Sequence, residues 1–424
     1  MQSKIWNIVI VLFFASTLTQ AQQKHEAYGW AIEKFQRYYN HQQADSLYTL
    51  FAPNLKGALS AGQTKEMMIA LSSQVGQLTS TSIGSESNTS AVFKGVFEKA
   101  TFDIVIALNE KNEWSTLQVR PVQDQAANGA NDGKSPSNFK VTTKSGDTLY
   151  GTLTMPKGNS KPNVVLIIAG SGSTDRNCNQ KGMQTDAFKM LADSLQKAGI
   201  ASVRFDKRGV GESYAAAGLS ADLTMNDFVN DALLFVRKIK SENGFGKIFV
   251  AGHSEGSLIA MLLANKEKID GYISIAGAGE NIAKVISRQV KTNLPRSSAL
   301  VDSILSQLEK GKTVKVEDQN LAALFHPSVQ PYLISWMAFE PQEEIKKLQI
   351  PVLILQGNTD LQVMVKDAEN LRQAKPNAKY YIIDGMNHVL KNTSSDRNEN
   401  LASYNNPLLA IDLDLCAAII QFCK

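Results

Sequence analysis

Ser254 has the residue type and surroundings that suit hydrolytic chemistry. It lies at the centre of Gly252-His-Ser-Glu-Gly256, where a glycine on each side of the serine permits a turn too tight for side chains. Such a turn exposes the hydroxyl at the end of a strand, beside a helix N-terminus whose unpaired N–H groups can bind a developing oxyanion. Because this pattern also occurs by chance, the rest of the chain must supply an acid, a base and an oxyanion loop.

A carboxylate and a histidine follow two later apolar runs. Asp360 comes after Val352–Leu355, and His388 comes after Tyr380–Ile383. A serine hydroxyl is a poor nucleophile until an imidazole accepts its proton, so His388 is predicted to be the general base and then the acid for the leaving group. Asp360 is predicted to fix the tautomer of His388 and to stabilise the transient imidazolium. Ser254, Asp360 and His388 thus form a candidate catalytic triad.

Other acids and another histidine compete for these roles. Asp384 and Asp367 are alternative partners for His388. We favour Asp360, because Asp384 stands at the exit of the strand that precedes His388 and suits the turn there. His253 adjoins the nucleophile, but a neighbouring residue on such a turn points elsewhere, so a packing or supporting role is predicted for it.

An oxyanion hole needs two N–H donors near the serine. The turn supplies one of them, the amide of Glu255. The second is expected from the Gly/Ser-rich stretch Ala169–Asn177, because glycine lets the backbone approach a reacting carbonyl closely. The amide of Ser171 is the first candidate and that of Gly172 is the second. A phosphate cradle is the alternative interpretation, but the stretch lacks the lysine and the glycine spacing of nucleotide-binding motifs.

The elements that must position these residues alternate in type beyond residue 138. Short apolar runs alternate with helical patterns, which indicates a mostly parallel sheet with helices on both faces. In such sheets ligands bind at the carboxyl ends of the strands, where the candidate residues lie. A hairpin is predicted over Phe139–Met155. The predicted strands are Val164–Ala169, Ala201–Phe205, Ile248–Ala251, Tyr272–Ala276, Val352–Leu355 and Tyr380–Ile383, and the predicted helices are Asp186–Ala198, Asn226–Ser241, Ser257–Asn265, Val365–Ala374 and Pro407–Phe422.

The alternation breaks over about residues 280–348, which are helix-like and stand between two predicted strands. An insertion of this size near the ligand edge of a sheet is a candidate lid, and extra packing is the alternative. His326 lies within the insertion and is predicted to be a lid residue rather than a ligand.

Residues 22–123 are predicted to form a separate small α+β domain. Ala27–Tyr39 places apolar and aromatic residues at helical spacing, and Ala91–Leu108 alternates as strands do. His25, His41 and the aromatic residues here either line a ligand pocket or belong to the core and surface of a helper domain, and we favour the second. Residues 124–137 are polar and rich in Gly, Asn and Ser, and are the predicted linker to a domain over residues 138–424.

Composition and charge exclude several classes of protein. The 424 residues carry 44 Lys+Arg against 40 Asp+Glu, a formal net charge of +4 that is too even to favour nucleic acid or an anionic membrane surface as a partner. Zinc-type cysteine spacing and nucleotide phosphate loops are absent from the sequence, so no metal site and no nucleotide site is predicted. Three cysteines exclude a disulfide-dense scaffold. The sequence leaves the oligomeric state open.

The first residues have the pattern of a secretory signal peptide. Lys4 precedes the apolar run Ile5–Ala15, and the small residues up to Ala21 suit cleavage there. The apolar run is too short for a comfortable membrane span, and an uncleaved anchor is the alternative. We therefore predict a signal peptide over residues 1–21 and an exported protein, periplasmic or secreted, without a stable membrane span after cleavage.

Four motifs together resemble those of a known group of enzymes. They are Ala169-Gly-Ser-Gly-Ser-Thr-Asp-Arg-Asn177, Arg204-Phe-Asp-Lys-Arg-Gly-Val-Gly-Glu-Ser213, Gly252–Gly256, and Gly357-Asn-Thr-Asp360 with Asn387-His388. They are similar to motifs of secreted bacterial α/β-hydrolases of the serine aminopeptidase and EstD-like carboxylesterase group. The resemblance covers about residues 138–424 and implies an α/β-hydrolase fold and hydrolysis of short-chain carboxylic esters without a cofactor.

Ala169 stands where many relatives have histidine, which raises the question of how the oxyanion loop is anchored. The N-terminal module resembles, more loosely, an NTF2-like or cystatin-like domain.

The favoured interpretation is an exported serine esterase that forms an acyl-enzyme on Ser254 and acts on a small-molecule ester. A serine peptidase or acyltransferase with the same triad is one alternative. Amide cleavage usually requires a pocket for a charged terminus, which the sequence does not show. A non-catalytic ligand-binding protein is the other alternative, and the complete set of Ser254, Asp360 and His388 argues against it.

Overall fold

The computed structural model describes residues 25–86, 90–121, 138–180, 182–217, 223–318, 320–321 and 324–424. The predicted signal peptide (1–21) and linker (124–137) lie outside the described residues. The chain divides into two units, one of Met1–Asp124 with Lys144–Asp147 and one of Gln125–Thr143 with Thr148–Lys424. Within the described ranges, no helix combines the length and the apolar character that crossing a membrane requires.

The first unit consists of four helices followed by a four-stranded antiparallel meander. Helix α4 begins where Ser60 and Gln63 cap each other reciprocally, and it ends at Gly76, whose positive φ of 77° favours glycine. The core is aromatic, with Phe35, Tyr39 and Trp114 fully buried. The elements are α1 (25–40), α2 (Ala44–Thr49), α3 (Pro53–Ala58), α4 (Ala61–Val75), β1 (Leu78–Glu86), β2 (Ser90–Phe97), β3 (Thr101–Leu108) and β4 (Trp114–Pro121).

The sequence prediction missed elements of this unit. Helix α4 and strand β1 were not predicted, because α4 buries few residues and β1 is largely Ser and Thr, so neither shows a clear apolar period. The two histidines of the unit, His25 and His41, are both exposed. His41 Nδ1 donates a hydrogen bond to the Arg37 carbonyl, 2.8 Å away.

The second unit is built on an eight-stranded sheet in the order β12-β11-β10-β9-β7-β8-β6-β5. Strand β6 runs antiparallel to both of its neighbours, and the other pairs beyond it are parallel. The predicted hairpin is the β5–β6 pair. The strands are β5 (Phe139–Thr142), β6 (Thr148–Thr154), β7 (Val164–Ile168), β8 (Ala201–Phe205), β9 (Ile248–His253), β10 (Gly271–Ile275), β11 (Val352–Gly357) and β12 (Lys379–Ile383).

Helices cover both faces of this sheet, as predicted. Alternate residues of β7 enter different cores: Leu166 packs with residues of α6 (Met225–Ser241) and α7 (Glu255–Ala264), and Val165 and Ile167 pack with α5 (Ala187–Lys197) and α14 (Leu413–Cys423). All five residues of β7 are buried, and each such side chain contributes about 1.5–3 kcal/mol to stability. This two-sided burial explains the continuous apolar runs of the strands.

The terminal helix is shorter than predicted. The expectation was Pro407–Phe422, but α14 begins at Leu413, because the Asp412 side chain caps it by accepting hydrogen bonds from the amides of Asp414 and Leu415. Helix α12 (Val365–Ala374) has the predicted bounds, and α5, α6 and α7 begin and end within two residues of their predicted bounds. Helix α13 (Arg397–Ala402) was not predicted.

In its described residues, the segment between β10 and β11 forms four α-helices. They are α8 (Ile282–Asn293), α9 (Ser298–Leu308), α10 (Gln330–Met337) and α11 (Pro341–Lys347). Residues of α8, α9 and α10 enclose a hydrophobic cluster of their own, which includes Ile286, Leu305, Phe325 and Leu333. The insertion therefore has a core distinct from the two that flank the sheet. Its role as a lid stays a prediction.

Candidate active site

Ser254 lies in a strained turn between β9 and α7. Its backbone has φ 55° and ψ −121°, a conformation that side-chain-bearing residues rarely adopt and that clusters at functional sites. The two flanking glycines make the turn possible, because a Cβ at Gly252 would overlap the Gly256 carbonyl and a Cβ at Gly256 would overlap the Ile168 carbonyl. The packing of strand, turn and helix thus requires glycine at both positions and presents Ser254 at the carboxyl end of β9.

His388 and Asp360 come together at the same edge of the sheet. Asp360 follows β11, His388 follows β12, and these strands are parallel neighbours, so their carboxyl ends lie side by side. The distance from His388 Nδ1 to Asp360 Oδ2 is 2.8 Å. Both side chains are buried. Because Nδ1 donates to the carboxylate, the neutral ring has its free acceptor at Nε2.

The Asp360 carboxylate is surrounded by donors. Its Oδ1 accepts hydrogen bonds from the amides of Gln362 (2.7 Å) and Val363 (3.0 Å), and its Oδ2 accepts from His388 and from Gln356 Nε2 at 3.2 Å. Burial raises the pKa of Asp360, but the His388 interaction and the backbone amides lower it more, so the net pKa lies below the usual value. Asp360 is therefore ionised at neutral pH and suited to stabilise an imidazolium.

The rival residues have other partners. Asp384 is exposed and accepts a hydrogen bond from Asn358 Nδ2 at 2.8 Å. Asp367 is fully buried and pairs with Arg288 at 2.5 Å, across to helix α8. His326 is exposed and bonds Ser328. Among the residues that the structure describes, Asp360 is the acid placed against His388.

His253 supports the backbone of His388. The distance from His253 Nε2 to the His388 carbonyl oxygen is 2.8 Å, so this nitrogen must carry the proton. Burial, followed by the proximity of His388, lowers the pKa of His253 to about 3. His253 is thus a neutral donor that helps to fix the position of His388, in line with the supporting role predicted from its place on the turn.

Replacement of His253 by glutamine tests this assignment through the pH dependence of stability. A histidine whose pKa is lowered on folding contributes stability above its unfolded pKa and loses it as pH falls toward the folded value. Between pH 7 and pH 4.5 the free energy of unfolding of the wild type should therefore fall by about 2–3 kcal/mol more than that of His253→Gln. Denaturant titrations at both pH values measure this difference. His326→Gln, at an exposed site, is the control and should behave as the wild type; equal slopes for all three proteins would contradict the assignment.

The proposed oxyanion donors flank Ser254. The amide of Glu255 stands at the N-terminus of α7, and Ser171 and Gly172 lie in the loop after β7. Among the described residues, neither the Ser171 amide nor the Glu255 amide donates a hydrogen bond to a protein acceptor, so both N–H groups are available. Gly172 has a positive φ of 78° and continues the turn of this loop.

Charged side chains hold the oxyanion loop in place. Arg176 pairs with Asp206 at 3.2 Å, its amide donates to the same carboxylate at 2.8 Å, and Arg204 donates to Asn177. The loop is thus held by residues at the end of β8 and just after it, all of them buried. Arg208, by contrast, pairs with Asp231 of α6 at 2.5 Å. Arg204 and Asp206 are therefore the side chains that fix the loop from the end of β8, while Arg208 binds helix α6 instead.

Two residues of the site were missed by sequence reasoning. Lys207 Nζ donates to the Gly170 carbonyl and lies 3.0 Å from Glu255 Oε2. Gln356, fully buried in β11, donates to Asp360. A polar residue at the end of an apolar strand was the available signal for Gln356, and a lysine two residues after β8 was the signal for Lys207.

A cavity of about 270 Å³ adjoins Ser254. Its described lining contains no Asp or Glu, and none of it comes from the insertion. Cys178 is in the lining, but burial raises the pKa of its thiol to about 12, so it stays protonated and is a poor nucleophile. Within the described ranges, no group of three or more His, Cys, Asp and Glu side chains is arranged to hold a metal ion. The lining residues are Gly170, Ser171, Gly172, Thr174, Cys178, Gln180, Met183, His253, Ser254, Gln362, His388 and Val389.

Comparison with known proteins identifies the family of the chain. The family model described as "Serine aminopeptidase, S33" matches residues 181–394, half of the chain. Esterase EstD of Thermotoga maritima is 28% identical over 260 residues, which cover 60% of this chain and 61% of EstD, less than two thirds of that relative. Among solved structures, Est1E from Butyrivibrio proteoclasticus is 19% identical, with 67% of this chain and 98% of that chain covered and a TM-score of 0.42. The Pyrococcus furiosus esterase Pf2001 is 17% identical, with 59% of this chain and 82% of that chain covered and a TM-score of 0.41.

The chain belongs to the serine aminopeptidase S33 family and has the α/β-hydrolase fold, preceded in the sequence by a small antiparallel-sheet unit.

Proposed function

We propose that the protein is a serine hydrolase that cleaves short-chain carboxylic esters through an acyl-enzyme on Ser254. The observation that carries this proposal is the 2.8 Å contact between His388 and Asp360 at the sheet edge where the strained turn presents Ser254. The resemblance to esterase EstD supports an ester as substrate.

The proposed reaction has two halves. His388 Nε2 accepts the Ser254 proton as Oγ attacks the ester carbonyl carbon, and the resulting oxyanion accepts hydrogen bonds from the Ser171 and Glu255 amides. The imidazolium, stabilised by Asp360, then protonates the leaving alkoxide, and the alcohol departs. In the second half His388 takes a proton from water, which attacks the acyl-enzyme carbonyl. Collapse of this second tetrahedral intermediate returns the proton to Ser254 and releases the carboxylic acid.

The cavity favours an ester over a peptide with a free amino terminus. Recognition of an α-ammonium group would require a carboxylate near the scissile bond, because a buried cation needs a partner. The cavity beside Ser254 has no acidic residue in its described lining. Its volume of about 270 Å³ lies below the range typical of drug-sized ligands, which suits a short acyl chain.

Two measurements test the proposal. Incubation with a fluorophosphonate, followed by mass spectrometry of peptides, should locate one adduct on Ser254. Hydrolysis of p-nitrophenyl acetate, butyrate and octanoate should be faster than that of aminoacyl p-nitroanilides. A folded protein without an adduct would refute the serine mechanism, and faster cleavage of the anilides would identify a peptidase instead.

We further propose that Met183 limits the length of the acyl group. It lines the cavity at the end of the loop that follows β7. Met183→Ala enlarges the cavity, so a longer acyl chain gains apolar contacts there. Such contacts are worth about 1–3 kcal/mol per methylene-sized change, so kcat/KM for p-nitrophenyl octanoate divided by kcat/KM for the butyrate should rise by about tenfold. The ratio is measured from initial rates, with Met155→Ala outside the cavity as control. An unchanged ratio in Met183→Ala would contradict the assignment.

We also propose that the protein is exported and that its first unit is an NTF2-like or cystatin-like helper module. Export rests on the Lys4 to Ala21 pattern of the sequence. Expression with the native N-terminus and mass determination of the mature protein should give a chain that begins at Gln22. An intact N-terminus in the cytoplasmic fraction would refute export.

A further inference from the structure

Lys207 occupies an unusual place for a lysine. Its side chain is buried just beyond β8, with Nζ in contact with the Gly170 carbonyl and 3.0 Å from Glu255 Oε2. Phe228 of α6 covers the ammonium from one side, at 5.4 Å from the ring centroid. A buried lysine is costly unless it is paired, so these contacts account for its presence there.

The contact with Gly170 fixes the orientation of the next amide. The Gly170 carbonyl and the Ser171 N–H belong to one peptide unit, which is planar and trans, so the two groups point in opposite directions. A donor that holds the carbonyl on one side therefore directs the Ser171 N–H to the other side. Ser171 and Ser254 both line the cavity, so an amide directed away from Lys207 is a candidate donor to a group bound beside Ser254.

We propose that Lys207 is a positioning residue that holds the Gly170–Ser171 peptide in the orientation in which its amide serves the oxyanion, and that Glu255 and Tyr332 hold Lys207 in turn. This inference rests on the proposed serine mechanism. Glu255 has two functions in it, because its amide is the other oxyanion donor and its carboxylate is the partner of Lys207.

Tyr332 extends this arrangement into the insertion. It lies on α10, and its hydroxyl donates to Glu255 Oε1. Burial, followed by the neighbouring Glu255, raises the pKa of Tyr332 well above its usual value, so the hydroxyl keeps its proton and remains a donor. Phe228 packs edge-on against Tyr332, with 5.4 Å between ring centroids. The insertion thus reaches the oxyanion loop through three successive side chains, although none of its described residues lines the cavity.

The test is a comparison of Lys207→Met with Lys189→Met. Lys207→Met keeps the length of the side chain but removes the donor, and Lys189→Met removes a partly exposed partner of Asp193 on α5. The proposal predicts that Lys207→Met lowers kcat for p-nitrophenyl butyrate by about 10- to 100-fold, less than outright loss of an oxyanion donor, with KM within about twofold. Affinity for butylboronic acid, which forms a tetrahedral anion on the serine, should fall by a similar factor. Lys189→Met should match the wild type in all three quantities.

Two further variants address the folding of Lys207→Met and the role of Tyr332. If Lys207→Met does not give a cooperative unfolding transition, the double variant K207M/E255Q removes both buried charges and should show the same loss in kcat. Tyr332→Phe, which removes only the hydroxyl, should lower kcat about two- to tenfold without a change in KM.

The outcomes are distinct from those of the proposed function. A wild-type protein that forms no fluorophosphonate adduct on Ser254 refutes the serine mechanism. A protein that labels and hydrolyses esters, but whose folded Lys207→Met variant keeps the wild-type kcat and boronate affinity, overturns the role of Lys207 alone. A Tyr332→Phe variant with unchanged kcat overturns the link to the insertion.

Discussion

Replacement of Ser254 by alanine is expected to lower kcat for p-nitrophenyl butyrate by about 10⁴- to 10⁶-fold and to abolish labelling by a fluorophosphonate. In the proposed mechanism the hydroxyl is the attacking group, so its removal leaves only the binding and the oxyanion contacts to assist attack by water. Alanine carries the same Cβ as serine and meets the same backbone strain at φ 55°, so the turn should keep its shape. Steady-state rates and intact-protein mass spectrometry measure the two effects.

Ser241→Ala is a suitable control for this experiment. Ser241 is exposed at the end of α6, where its hydroxyl donates to the Lys238 carbonyl of the same helix at 2.8 Å. This variant should retain the wild-type rate and the adduct. If Ser254→Ala kept more than about one hundredth of the wild-type kcat, another group would be the nucleophile.

The second large effect is expected from Asp360→Asn, which should lower kcat by about 10⁴-fold. The Asp360 Oδ1 accepts hydrogen bonds from two backbone amides, at Gln362 and Val363, so the oxygen of the asparagine will take that position. Its NH₂ group then faces His388 Nδ1 and donates to it. The ring is forced into the tautomer with the proton on Nε2, which cannot accept the proton of Ser254. Rates at pH 7 to 9 measure the loss.

Asp384→Asn is the matched control, because Asp384 was one of the two alternative acids and stands four residues before His388. It is exposed, and Asn at this position can still accept the hydrogen bond from Asn358. We expect its kcat to remain within about twofold of the wild-type value. A loss in Asp384→Asn as large as that in Asp360→Asn would reverse the assignment of the acid.

Much of the fold was predictable because buried strands and helix faces appear in the sequence as apolar runs and apolar periodicity. Strand β8 has the predicted bounds, Ala201–Phe205, since both of its faces are covered and its residues are all buried. Strand β9 is longer than the predicted Ile248–Ala251, because Gly252 and His253 continue the pairing with β10 before the turn. Apolar runs therefore predict where strands lie, but they predict the end of a strand only where the apolar run and the strand pairing stop at the same residue.

The order of the candidate residues along the chain predicted which of them could meet, because the carboxyl ends of parallel strands share one edge. The contacts that hold them were not predictable in the same way. Lys207 is 37 residues from Gly170 and 48 from Glu255, and no local pattern couples such distant positions. Pairings of this kind depend on tertiary packing, so they become visible only in three dimensions.

The turn at Ser254 also bears on how this protein could acquire new substrates. The overlap that any side chain would cause at Gly252 or Gly256 ties the geometry of the nucleophile to the packing of the backbone. The cavity wall, in contrast, is formed in part by Thr174, Gln180 and Met183, which carry no step of the proposed reaction. Under the proposed function, the reactive groups and the residues that contact the acyl chain therefore lie in separable parts of the chain. Under the proposed function, laboratory evolution toward other acyl groups would therefore begin at Met183 rather than at Thr174, whose hydroxyl donates to the Ser171 carbonyl at 3.2 Å.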